Sequence, residues 1–282
     1  MVRIVADSTC DLSGDIARDY GISIVPLHIV LGEAEYRDGV DIHPDDIFKW
    51  CEENKTTPKT SAVSFEDVLD DLSPIAKSGD EAVIFVISET MSTTGNVFRM
   101  AIEELEAEDR MFVFDSKNLS VGIGLLAMEA SEMAKAGVDA KEMLCKLEEL
   151  RDKVRSSFVV DTLTYLARGG RCSAATALAG GMFKIHPKIV VKDGVMEAEK
   201  RYRGQMHSVV TDYVNDLKDE LLTAKSNRAF LVYSGLENEI SDQAMEFLKG
   251  LDHFDEIISL NAGGVISSHC GPGTLGVMYI AK

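Results

Sequence analysis

No apolar run in this sequence reaches the roughly 20 residues that a membrane-spanning helix requires, so stable membrane insertion is not expected. MVRIVADST enters a strand pattern directly, without an apolar leader segment, so no secretory signal is expected. The five cysteines, Cys10, Cys51, Cys145, Cys172 and Cys270, are odd in number and widely spaced, and no CxxC occurs. That argues against a disulfide framework and a zinc site, and it suits the cytoplasm. No two of the six histidines have metal-ligand spacing. Walker A and GxSxG sequences are absent, and Asp7-Ser8-Thr9 lacks the second acid of an aspartyl-phosphate phosphatase. A positive charge excess is missing too. The formal net charge is −18, so the molecule as a whole repels phosphate backbones and nucleic-acid binding is not expected.

The charge is uneven, however. Between positions 168 and 208 stand eight bases, Arg168, Arg171, Lys184, Lys188, Lys192, Lys200, Arg201 and Arg203, against three acids, Asp193, Glu197 and Glu199. A basic island on an acidic chain suits the docking of an anion or a partner, although a solvated face would look the same.

The most informative stretch is EAVIFVISETMSTTGNVFR, from Glu81 to Arg99. Ala82 to Ile87 is continuously apolar, as in a strand buried on both faces. Five hydroxyls follow within seven residues, Ser88, Thr90, Ser92, Thr93 and Thr94, and then a helix pattern begins at Val97. A helix cap needs one hydroxyl. Five of them, beside unpaired backbone N–H groups and the positive end of a helix, make a place for a small anion or a carboxylate.

Elsewhere strands alternate with helices. Val2 to Ala6, Ile22 to Leu31 and Met111 to Phe114 read as strands, and Pro44 sits at a helix start. The pattern restarts at Phe158. Ala174 to Met182 reads as a close-packing helix, Asp193-Gly194 marks a hairpin, and the segment after the terminal glycines reads as a strand. This alternation predicts an α/β protein of two α/β domains, residues 1–157 and 158–282. The first should hold a mostly parallel sheet flanked by helices, and the second should be a smaller, mixed α/β domain. No loose linker, low-complexity tract or repeat separates them, so a ligand is expected at their interface. Two near matches to a dinucleotide fingerprint lack its context. GPGTLG at 271–276 precedes a strand, and Gly122-Ile123-Gly124 has no ribose-binding acid after it.

Nine stretches, taken together and in order, resemble one family: DSTCDL at 7–12, YRDGVDI at 36–42, TSAVS at 60–64, VISETMSTTGN at 86–96, DSKNLSVGIG at 115–124, LARGGRCS at 166–173, KIHPKI at 184–189, KRYRG at 200–204 and HCGPGTLG at 269–276. Over essentially its whole length the chain is similar to the DegV family of bacterial fatty-acid-binding proteins. The resemblance implies a carrier, not an enzyme, without a cofactor and expected as a monomer. A long-chain fatty acid such as palmitate or oleate would lie in an apolar tunnel between the domains. Its carboxylate would be held by Thr60 and Ser92 with His269 nearby, and Ser61, Thr93 and Thr94 would make secondary contacts. A separate fatty acid kinase subunit would receive the carboxylate for acyl-phosphate formation, with Arg171, Arg201 and Arg203 serving that partner. Ala62-Val63 stand where the family often has Gln-Pro, and Thr93-Thr94-Gly95 where it often has Gly then Thr-Tyr. The loss of the aromatic is expected to reshape the tunnel mouth.

Two other readings compete. Ser92 as nucleophile with His269 as base would make a serine acyl-transfer hydrolase, which needs contact between the two and a third group orienting the base. A pure interaction module would bind no lipid at all.

Overall fold

The apolar runs of the first half become a four-stranded sheet because they are sealed on both sides. In the computed structural model, which describes residues 1–173 and 185–282, the strands are β1 (Val2–Asp7), β2 (Ile22–Val25), β6 (Glu81–Val86) and β7 (Met111–Asp115). Their order is β2-β1-β6-β7 and every pairing is parallel. Alternate residues of β6 serve opposite cores. Val83 and Phe85 pack with helices α5 (Val121–Lys135) and α6 (Ala140–Arg151), while Ala82, Ile84 and Val86 pack with α3 (Phe65–Ser78) and α4 (Thr94–Glu104). This is the burial that a continuous apolar strand announces.

The expected strand from Ile22 to Leu31 is two. Pro26 has no N–H to continue a ladder, and after it the chain starts a second, antiparallel sheet of β3 (His28–Leu31), β4 (Ala34–Arg37) and β5 (Lys59–Ser61), in the order β4-β3-β5. Its strand β5 sets Thr60 opposite Ile29. Short helix α1 (Gly14–Tyr20) precedes β2, and α2 (Pro44–Asn54) starts on its proline as expected.

After α6 the strands join a third sheet. It contains β8 (Val154–Val159), β9 (Ile185–Lys192), β10 (Val195–Arg203), β11 (Ala224–Ser234), β12 (Glu256–Asn261) and β13 (Thr274–Ala281), in the order β10-β9-β8-β13-β11-β12. Only β11 and β12 run parallel, so the sheet is mixed. The α/β expectation, one parallel sheet with flanking helices and one mixed sheet, describes the fold. The helices here are α7 (Thr164–Gly169), α8 (Met206–Thr223), α9 (Asn238–Gly250) and α10 (Gly264–Cys270). Helices α8 and α9 cover one face of the six-stranded sheet. The other face, with Phe158, Phe230 and Met278, shares a core with α5 and with Val83 and Phe85 of the first half. The close-packing helix expected at 174–182 lies outside the described residues, as does Lys184 of the basic island.

Three buried carboxylates hold this arrangement at the end of β1. Asp7 accepts hydrogen bonds from the backbone N–H of Thr9 at 3.0 Å and of Ile87 at 2.8 Å, and from the Thr9 hydroxyl. Asp11 accepts from the Ser120 hydroxyl and from Gly263 N at 2.9 Å. Asp38 accepts from the Ser8 hydroxyl and from Gly264 N, both at 2.8 Å. Burial pushes the Asp7 carboxyl up to about 6 against its own hydrogen bonds and also raises Asp11 and Asp38.

A raised acid stabilises the fold below the unfolded value and loses that contribution as pH rises to the folded one. For Asp7 the window runs from 3.8 to about 6, and the shift corresponds to about 3 kcal/mol. Asp7→Asn removes this titration. Urea unfolding at intervals across the window should show the wild type losing stability relative to Asp7→Asn as pH rises. Parallel curves for the two proteins would mean that Asp7 titrates alike in the folded and unfolded chain.

Candidate functional site

Between the two halves lies a cavity of about 480 Å³, within the roughly 300 to 1,000 Å³ usual for small-molecule sites. Its walls are mainly apolar, with Ile87, Leu119, Phe158, Met196, Val232 and Met278 drawn from all parts of the chain. Three of the twelve methionines, Met91, Met196 and Met278, line it, and such side chains adapt to a flexible occupant.

One part of the wall is polar. Strand β5 supplies Thr60 and Ser61, the turn after β6 supplies Ser92 and Thr93, and α10 supplies His269. Thr60 Oγ1 and His269 Nε2 share a hydrogen bond of 2.8 Å. The other ring nitrogen, Nδ1, is buried and has no hydrogen-bond partner among the described residues. It faces Gly169, where a Cβ would stand 2.3 Å from it, so only glycine lets α7 approach the ring. Burial, reinforced by the nearby Arg171 guanidinium, pushes the His269 imidazolium down to about 4. The ring is therefore neutral near pH 7. Arg171 donates from Nε to Met91 O at 3.3 Å and from Nη1 to Gly169 O at 2.7 Å, which fixes it on the cavity wall beside Ser92 and His269.

The five hydroxyls of the turn divide by role. Ser88 and Thr90 both donate to Gly194 O, at the hairpin between β9 and β10, where Asp193 and Gly194 take the positive φ values of 49° and 84° that the Asp-Gly pair announced. These two hydroxyls therefore tie the halves together and are not free for a ligand. Ser92 Oγ lies 2.9 Å from Thr94 Oγ1 and accepts from Thr94 N at 3.2 Å. Thr94 itself is buried and not among the described lining residues, whereas Thr93 is exposed at the wall. Ser61 donates to Glu35 Oε1 at 3.2 Å. Thus Thr60, Ser61, Ser92, Thr93, His269 and Arg171 come together, while Thr94 reaches the site only through Ser92.

Arg201 and Arg203 stand apart, exposed on edge strand β10 and outside the cavity lining. Arg201 pairs with Pro187 and Ala198 with Ile189, the register shift between Ala198 and Lys200 preserving the face. By strand alternation the two arginines share the face of Met196 and Ala198, the cavity side of the sheet. Lys200 and Tyr202 point the other way, to Asp216 on α8.

Sequence reading missed the carboxylates that aim α10. Asp11 lies in DSTCDL and Asp38 in YRDGVDI, so the signal was present as residues but not as contacts. Among the described residues, no group of three or more His, Cys, Asp or Glu is placed to hold a metal ion, and no helix is long and apolar enough to cross a membrane. Cys10, Cys51, Cys145 and Cys270 are free thiols.

Known proteins repeat both the fold and its extent. A DegV family protein from Thermus thermophilus, described as fatty acid binding, superposes with a TM-score of 0.91 at 31% identity, covering 100% of this chain and 99% of its own. A stearic acid-binding protein from Eubacterium ventriosum does so at 0.85 and 28% identity, with the same coverage. A DegV domain-containing protein of Caldanaerobacter subterraneus subsp. tengcongensis is 30% identical over 285 residues, covering 100% of this chain and 99% of the relative. The family model described as "Uncharacterised protein, DegV family" matches residues 1–282. On a full-length match of sequence and fold, the chain belongs to the DegV family.

Proposed function

We propose that this protein is a carrier of a long-chain fatty acid such as palmitate or oleate, and that it presents the carboxylate to a separate fatty acid kinase subunit. The observation that carries the reading is the cavity itself: apolar walls drawn from both halves, with one polar cluster of Thr60, Ser92, His269 and Arg171. Burying about fifteen methylenes at ~0.8 kcal/mol each gives on the order of 12 kcal/mol of gross transfer energy, of which ordering and lost translation take back a large part. Hydroxyl bonds to the carboxylate add ~1.5–3 kcal/mol each. The tail supplies affinity and the head group orientation. Thr60 and Ser92 come from separate segments and suit one carboxylate oxygen each, with His269 as a neutral neighbour and Arg171 as the cation.

The geometry does not favour the hydrolase reading. His269 Nε2 is engaged with Thr60 rather than Ser92, and Nδ1 has no orienting acceptor among the described residues. A base needs both contacts to activate a serine.

Protein purified from bacteria should carry a fatty acid near one per chain, read by denaturing extraction and mass spectrometry. An empty protein that also takes up no added palmitate or oleate would refute the carrier reading.

Ser92→Ala removes one charge-assisted bond and should weaken fatty acid binding roughly 10- to 150-fold, with Thr60→Ala similar in direction. A matched fatty alcohol should bind both variants as it binds the wild type. Equal losses for acid and alcohol in paired titrations would make these residues shapers of the wall, not holders of the head group.

Arg201→Ala and Arg203→Ala should leave lipid affinity within a few-fold and reduce kinase-dependent phosphorylation, because arginine on the cavity side of an exposed edge suits a phosphate-handling partner. Radiolabelled phosphate transfer, measured beside lipid titration, separates the two. Loss of lipid affinity with transfer intact would reverse the assignment.

A further inference from the structure

The basic island of the sequence is not one surface. Arg171 belongs to the cavity described above, and Arg201 and Arg203 to the edge of the sheet. Lys188 and Lys192 line a second cavity of about 610 Å³, which shares no described lining residue with the first. It opens where two strands part. Strands β8 and β9 pair at Ser157 with Val190, Phe158 with Ile189 and Val159 with Lys188. The same register would set Ser156 opposite Val191 and Arg155 opposite Lys192, but the pairing stops there while β9 runs on along β10. Lys117 and Asn118, from the loop before α5, line the gap.

The buried polar groups of this cavity that lack partners are donors. Ser156 is 3% exposed, and its hydroxyl and Arg151 Nε are buried without a hydrogen-bond partner among the described residues. Lys188 is 7% exposed. The acids that line the cavity, Asp152, Asp193, Glu199 and Glu220, are all exposed. Two of these are engaged, Glu199 with Lys188 at 2.6 Å and Glu220 with the Tyr279 hydroxyl at 2.8 Å. Lys117, Arg155 and Lys192 form no ion pair among the described residues and complete the lining. Buried donors left unpaired are costly, and a cluster of cations around a hydroxyl is the chemistry that satisfies phosphate oxygens.

We propose that this cavity binds a phosphate group, either on a small phosphorylated molecule or as free inorganic phosphate. Ser156 donates from within, and Lys117, Arg155 and Lys192 supply charge around it, while Lys188 is held on the wall by Glu199. Calorimetric titration of the full chain tests it, with inorganic phosphate and glycerol 3-phosphate as probes and sodium chloride at matched ionic strength as control. Saturable binding of at least one phosphate probe, absent with chloride, is the expected result. Lys117→Gln and Lys192→Gln should each weaken it about tenfold, as should Ser156→Ala, while Lys77→Gln on the distant helix α3 should not. Tighter binding of glycerol 3-phosphate would assign the site to a phosphorylated molecule, and equal or tighter binding of inorganic phosphate to the free ion. The proposal is overturned if neither probe binds saturably, or if the Lys117 and Lys192 variants bind as the wild type does.

Discussion

Helix α10 is held by buried carboxyl groups. Its first backbone N–H groups, at Gly263 and Gly264, are met by Asp11 and Asp38 from the other half of the chain. These carboxylates are 7% and 4% exposed, and desolvation raises both. A buried acid is tolerable when donors surround it, and the helix start supplies donors and a positive dipole together. Asp7 does the same for Ile87 at the head of the hydroxyl-rich turn. The DSTCDL segment thus positions both polar walls of the cavity, the turn that carries Ser92 and the helix that carries His269. The separation of Thr60 from His269, fixed at 2.8 Å across 209 residues of sequence, depends on those bonds.

How much of this was legible in the chain depends on the range of the interaction. The parallel sheet was legible because burial on both faces writes a continuous apolar run such as Ala82 to Ile87. The β9–β10 hairpin was legible because Asp193 and Gly194 must adopt positive φ locally. The split at Pro26 was missed because the apolar residues continue across it, and only the missing N–H signals the break. Ser88 and Thr90 illustrate a deeper limit. As residue types they matched a ligand turn, yet their acceptor is a backbone carbonyl more than a hundred positions away. Composition announced the hydroxyls and could not say which would be consumed by the fold. The basic island failed in the same way, since alternation along β9 and β10 sends neighbouring cations to opposite faces.

A nucleophilic serine needs its hydroxyl coupled to a base, and Ser92 is coupled instead to Thr94, whose own N–H it also accepts. Both contacts fix the Ser92 oxygen at the wall without making it more nucleophilic. His269 is held neutral by burial and by Arg171, which on the carrier reading would let it stand beside a carboxylate without trapping it in a tight ion pair. The nearest cation, Arg171, already spends two of its donors on Met91 O and Gly169 O, so it offers a ligand charge with few free bonds. On the carrier reading proposed above, a modest grip on the head group and large apolar burial of the tail would keep the chain sequestered while its reactive end stays accessible to another catalyst. An enzyme acting on that carboxylate would need the opposite weighting, with its strongest interactions at the reacting atoms.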